Sequence, residues 1–407
     1  MTFFKKIVFF HLVPIVLALF ISAFFIHNKP LTAPDLNISA VAVKSTRYIK
    51  HFDPYKLNDQ VAFSTALYRS VPVLIGSSEL TSNHLKGLAQ NFFNPEGTKQ
   101  TQLLSFGHAG FQSLGILTAL AANHELLKDA KLTIILSPGW FEEQYCKGTS
   151  LHSFFEFAPP NYVYKILKDD KLNSQTREYI ASYIRKNYDK ISRPDEGLRI
   201  LSKEQKSTVN RIMNSPFVDF SSKELNQREK TDLYLLSQEL IVKTLLSSSP
   251  SKQKFNTPIC NWDSLMQSAK REFATISNNN NVAVENSYYD TWLKNKPKKK
   301  LKAVAKEQNQ EYKDLEALLS FLKISGAKVS VVIMPLNPKA HEDLTVLDPI
   351  VNDVRALLQK QQFIYLDMFK SNPAEYVDGT LEDIMHPYDL GWYQIDKFII
   401  EHNANGN

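Results

Sequence analysis

Val73-Leu74-Ile75-Gly76-Ser77-Ser78-Glu79-Leu80 decides how this chain is to be read. Residues 71–75 form a short apolar run, the pattern of a strand buried on both faces of a parallel sheet. Gly-Ser-Ser then turns the chain, and residues 79–90 carry a helical pattern. That order exposes a serine hydroxyl at the end of a strand, with a helix N-terminus beyond it that favours negative charge. Taken alone, Ser77 or Ser78 would be an N-cap.

A second segment changes that balance. Near the C-terminus the chain reads Asp383-Ile384-Met385-His386-Pro387-Tyr388-Asp389-Leu390-Gly391-Trp392. An acid three residues before a histidine can share one side of a tight loop and orient the imidazole. Pro387 stops any helix that carries His386, and Gly391 frees the chain to begin another. Ser78 as nucleophile, His386 as base and Asp383 as its orienter would be a Ser-His-Asp triad. His84, His108, His124, His152 and His341 stand in no comparable context.

Further short apolar or β-branched runs at 102–106, 132–136, 328–334 and 363–366 read as strands. Helical patterns follow at 110–124, 350–361 and 391–402. Strands alternating with helices predict a central parallel sheet covered on both faces, a three-layer α/β/α domain. Residues 66–407 would form that domain. An insertion at about 141–315, mostly helical and rich in Lys, Asn, Ser and Tyr, would lie beside the ligand-binding edge of the sheet.

The 407 residues are 43% hydrophobic and 22% charged, which predicts a packed body rather than disorder. The formal charge of +6 does not imply nucleic-acid binding. It suits an anionic partner such as a membrane or a polyphosphate polymer. Residues 7–26 are almost wholly apolar and long enough to span a bilayer. Lys5 and Lys6 before them predict a cytoplasmic N-terminus and an extracytoplasmic body on a single-pass anchor. Residues 1–30 would be that tip and anchor, and 31–65 a juxtamembrane connector. A cleaved signal peptide is the weaker alternative, because no A-x-A-like site follows the apolar stretch. Cys146 and Cys260 fit either a disulfide or two free thiols in such a compartment. No Cys/His spacing suggests a metal site, and the chemistry asks for no cofactor. The basic run around Lys296, Lys298, Lys299, Lys300, Lys302 and Lys306 is a solvated face or a patch for anionic lipid or polymer.

The turn at Ser78 and the Asp383 to His386 block resemble the two ends of the SGNH/GDSL hydrolase superfamily. Two further stretches, Phe106-Gly107-His108-Ala109-Gly110-Phe111-Gln112-Ser113-Leu114 and Ser137-Pro138-Gly139-Trp140-Phe141, narrow the resemblance. The four together resemble the DltD family of teichoic acid D-alanylation over nearly the whole chain. The resemblance implies D-alanyl transfer through a Ser78 acyl-enzyme, from a membrane acyltransferase or carrier protein to a hydroxyl of an anionic envelope polymer. It also implies an oxyanion hole from the backbone N–H groups of Ser78 and Gly110. The third block usually supplies an Asn side chain; Ser137-Pro138-Gly139-Trp140 has no amide there. Trp140 would wall the pocket instead, and Ser77 would stand where the superfamily has an aspartate. An esterase or thioesterase of the same fold, or a non-catalytic scaffold presenting carrier or polymer to a membrane acyltransferase, are the alternative readings.

Overall fold

The computed structural model describes residues 57–82, 84–95, 101–107, 109–187, 241–243, 245–246, 255 and 258–404. All of them fall within one compact unit, 39–407. The expected anchor and most of the connector lie outside the described residues. Among those that are described, no helix is long and apolar enough to cross a membrane.

Five parallel strands form one sheet in the order β2-β1-β3-β4-β5. They are β1 Val73–Ile75, β2 Leu104–Phe106, β3 Lys131–Leu136, β4 Lys328–Ile333 and β5 Ile364–Asp367. Every residue of β1, β2 and β3 is buried, which is why these strands appear as unbroken apolar runs instead of alternating ones. The protein is thus of α/β class. The helices used below are α1 Ala89–Phe93, α2 Ser113–Ala121, α3 Ser174–Lys186, α4 Gln310–Ser325 and α5 Asp389–Ala404.

On one face of the sheet, Leu74, Ile135 and Val332 pack with Leu88 and Phe93 around α1 and with Trp392, Ile395 and Ile399 of α5. Elsewhere α2 packs on α4. The C-terminal helix is therefore built into the core, and the loop that precedes it is fixed against the ends of the strands.

One expected helix is broken. Residues 79–90 give a single 3₁₀ turn at Ser78–Thr81 and then α1. The chain between them is drawn off the helical path by tertiary bonds. Ser82 Oγ donates to Glu382, and the Gly87 N–H donates to Asp389 Oδ1 at 2.6 Å. The C-terminal block has captured this segment.

Chain order and strand order meet at β1. The chain leaves β1 for β2 on one side and returns to β3 on the other. This is the switch point where open α/β sheets hold ligands, beyond the C-terminal ends of the strands.

Candidate active site

The turn after β1 sits at this switch point, held by backbone. The Gly76 N–H donates to Phe106 O at 3.1 Å, tying the end of β1 to the end of β2. Gly107 follows with φ +126°, and a Cβ there would stand 2.0 Å from Gly76 O. Only glycine permits that approach. Ser78 is thus carried by two strand ends that touch through main chain.

The loop from Leu381 to Pro387 closes on itself. The Glu382 N–H donates to His386 O at 2.9 Å, and Leu381 bridges Pro387. Asp383 organises the interior. Its Oδ1 accepts from the N–H groups of Met385 and His386, both at 2.7 Å, a side-chain turn of the kind aspartate favours. Its Oδ2 lies 2.7 Å from His386 Nδ1. His386 Nε2 lies 2.9 Å from Ser78 Oγ. Ser78, His386 and Asp383 thus form one hydrogen-bonded chain. With Asp383 accepting the Nδ1 proton, Nε2 is left to accept from the serine.

Burial works to lower the His386 pKa. The hydrogen bond and charge of Asp383 outweigh it, helped by Glu79 and Glu382, and the imidazole is raised above its ordinary 6.5. Burial raises Glu79 above the usual carboxyl range, although hydrogen bonds from backbone N–H groups and the nearby His386 oppose that. Glu79 Oε1 accepts from the Ser77 N–H at 2.6 Å. The acid is folded back beneath the turn it follows.

These residues line a cavity of about 230 Å³. Ser77, Ser78, Glu79, Gly110, Trp140 and His386 all contribute. Ser77 and Trp140 are buried, so each is wall rather than rim. Gly110 has φ +84°. Ser137 and Gly139 line the cavity as well, and this stretch presents no side-chain amide. Ala109 and Gln112 line it too, and Tyr145, Met334 and Met385 complete it. Sequence reasoning missed these three. Met385 sits beside His386 in the quoted block, but nothing local marks Tyr145 or Met334.

Cys146 and Cys260 are both free. Burial raises both thiols above their ordinary pKa, and neither lines the cavity.

Known proteins resemble this chain over most of its length. The family model described as DltD protein matches residues 50–404. Protein DltD of Bacillus subtilis (strain 168) is 26% identical over 343 residues, covering 82% of each chain. Protein DltD of Staphylococcus aureus (strain NCTC 8325 / PS 47) is 22% identical over 367 residues, covering 85% of this chain and 86% of that protein.

Proposed function

The chain belongs to the DltD protein family, and from that premise we propose that it transfers D-alanyl esters to a hydroxyl of an anionic, teichoic acid type envelope polymer through an acyl-enzyme on Ser78. The observation that carries this reading is the hydrogen-bonded chain Ser78–His386–Asp383, with Ser78 and His386 lining a cavity at the switch point of the sheet.

In the first half-reaction Ser78 Oγ attacks the carbonyl carbon of an activated D-alanyl donor, delivered by a carrier or a membrane acyltransferase. His386 Nε2 takes the serine proton. The bond from the acyl carbon to the donor breaks, and His386 returns the proton to the leaving group. Asp383 holds the ring and stabilises the imidazolium. The Ser78 N–H and the glycine-only turn at Gly110 supply donors for the oxyanion, with no amide to serve as a third. In the second half-reaction a polymer hydroxyl attacks the Ser78 ester with the same base.

The body would sit outside the cell membrane on a single N-terminal span, residues 7–26, within the layered SGNH-type architecture the resemblance implies. Exclusion of water from the ester decides between transfer and hydrolysis. The 141–315 insertion supplies Tyr145 to the wall of the serine's cavity and is the candidate for that role.

The test is intact-mass analysis of the full chain after incubation with an activated D-alanyl thioester. Wild type should gain one D-alanyl group on Ser78. Ser78→Ala should gain none and should abolish envelope D-alanylation. Normal ester-linked D-alanine in cells carrying Ser78→Ala would sink the acyl-enzyme reading and leave a scaffold.

A further inference from the structure

A second cavity, of about 800 Å³, adjoins the first, and the two share Gly110, Gln112 and Tyr145. The junction is tight: a Cβ at Gly110 would come within 3.1 Å of Ser153 Oγ. At that size the cleft falls in the upper part of the range of about 300–1,000 Å³ typical of ligand sites.

The walls are largely apolar in surface but carry polar groups. Ser153, Tyr179, Tyr183 and Gln310 present hydroxyls and an amide. Buried Asp314 fixes two of them, accepting from Tyr179 Oη at 2.6 Å and from Gln310 Nε2 at 2.8 Å. At Gly148, φ is +76° and a Cβ would stand 2.5 Å from Asp314 Oδ2. The cleft wall is therefore moulded onto this carboxyl.

Three lysines line the same cleft. Lys147 leaves the loop after β3, Lys186 ends α3, and Lys313 lies in the first turns of α4. All three are exposed, and none is in an ion pair among the described residues. Half of the basic run farther along the chain behaves differently. There Lys300, Lys302 and Lys306 are committed to Glu342, Glu143 and Asp353. Of the acids under the cleft, Asp314 acts on Lys186, whose charge works to hold its carboxyl down. Burial pushes both Asp314 and Glu311 up, and the charge of Asp314 pushes Glu311 further. Both are thereby biased toward the neutral form.

We propose that this cleft binds the acceptor as a polyol-phosphate chain. The three lysines take phosphodiester charges, the hydroxyls and amides take the polyol, and the junction at Gly110 leads a chain hydroxyl to Ser78. The inference rests on the acyl-transfer reading above and gives that site its acceptor. In the transfer step the acceptor hydroxyl gives its proton to His386 Nε2, and its oxygen bonds the acyl carbon. The bond from that carbon to Ser78 Oγ breaks, and the serine regains the proton from His386.

Binding can be measured without chemistry. A fluorescent synthetic hexamer of glycerol phosphate is titrated against the purified full-length chain, and anisotropy is read at low and high ionic strength. Lys147→Ala/Lys186→Ala/Lys313→Ala should lose about tenfold or more in affinity at low salt and flatten the salt dependence, with an unchanged circular dichroism spectrum. Lys298→Ala/Lys299→Ala should bind within twofold of wild type. Ser78→Ala should also bind normally, so that failure of the acyl-enzyme and failure of the cleft are read separately. The proposal is overturned if the triple variant binds the hexamer like wild type, or if the Lys298/Lys299 variant loses as much. It is equally overturned if the triple variant loses only phosphatidylglycerol vesicles, which would assign these lysines to a lipid surface.

Discussion

The loop that carries Asp383 and the helix that carries Asp396 follow one another in the chain, yet they treat a carboxyl group in opposite ways. Asp383 is half-buried and accepts three hydrogen bonds, from two backbone N–H groups and from the imidazole. Asp396 is 0% exposed, and neither of its oxygens has a hydrogen-bond partner among the described residues. Burial, with the charge of Asp389 adding to it, holds Asp396 well above the ordinary carboxyl range. The first acid is arranged to hold another group. The second is tolerated because it can carry its proton, at a cost the helix meets through Trp392, Ile395 and Ile399 around it. Exchanging carboxyl for amide should therefore have opposite consequences at the two positions.

The largest effect belongs to Asp383. Asp383→Asn should slow acylation of Ser78 by about 10⁴-fold, by analogy with the same change in the serine-protease triad. The amide can favour the wrong imidazole tautomer and cannot balance the imidazolium. The readout is the rate of Ser78 labelling by a fluorophosphonate at matched folding. The pH profile sharpens the test. Reaction needs neutral His386, whose pKa is raised. The labelling rate should therefore fall below a midpoint above 6.5, about tenfold per pH unit. In Asp383→Asn the midpoint should move down, because the main raising cause is gone. A labelling rate within twofold of wild type would show that Asp383 does not orient the base.

How much of this was legible in the sequence follows from the range of the contacts. The strands are legible because burial on both faces writes a continuous apolar run. The expected 132–136 and 328–334 differ from β3 and β4 by a residue at one end. Asp383 and His386 are legible because their geometry is local: one turn, closed by the acid itself. Ser78 is legible because a strand followed by a glycine-serine turn exposes a side chain. The segment after Ser78 was misread as helix, since Ser82 and Gly87 bond to residues from the far end of the chain and helical periodicity cannot register that pull. Lys147, Lys186 and Lys313 escaped notice for the same reason. Each is an ordinary lysine in its own neighbourhood, and only the tertiary fold gathers them. In the conspicuous run, Lys300, Lys302 and Lys306 are instead tied up in ion pairs with acids distant in sequence, Glu342, Glu143 and Asp353.

Asp396→Asn should act on stability and spare catalysis. The sign follows from the raised pKa. Between the unfolded carboxyl value and the higher folded one, the folded chain holds a proton that the unfolded chain releases, so Asp396 costs stability as pH rises through that window. Near pH 4, at the foot of that window, wild type and variant should melt close together. At pH 8 the variant should be more stable by about 1–3 kcal/mol, read from urea or thermal denaturation at both pH values. An equal gap at the two pH values would show that Asp396 does not change protonation on folding, and the contrast with Asp383 would lose its basis.

Glu79 stands between the two acids and gives the smallest and most discriminating change. It is buried like Asp396 but has a partner, the Ser77 N–H. Like Asp383, it contributes to raising His386. Glu79→Gln keeps an oxygen to accept from Ser77, so the turn and the fold should survive. It removes one negative charge from beside the imidazole. The acid limb of Ser78 labelling should then move down by about half to one pH unit, a differential interaction of about 1 kcal/mol. The rate on the alkaline plateau should stay within about tenfold of wild type. This splits two roles that a single-pH assay would merge. A falling plateau with an unmoved limb would make Glu79 a support for the Gly76–Ser78 turn, charged or not. An unmoved limb with an unmoved plateau would mean that Glu79 keeps its proton over the working range, as Asp396 does, and that Asp383 and Glu382 set the basicity of His386 without it.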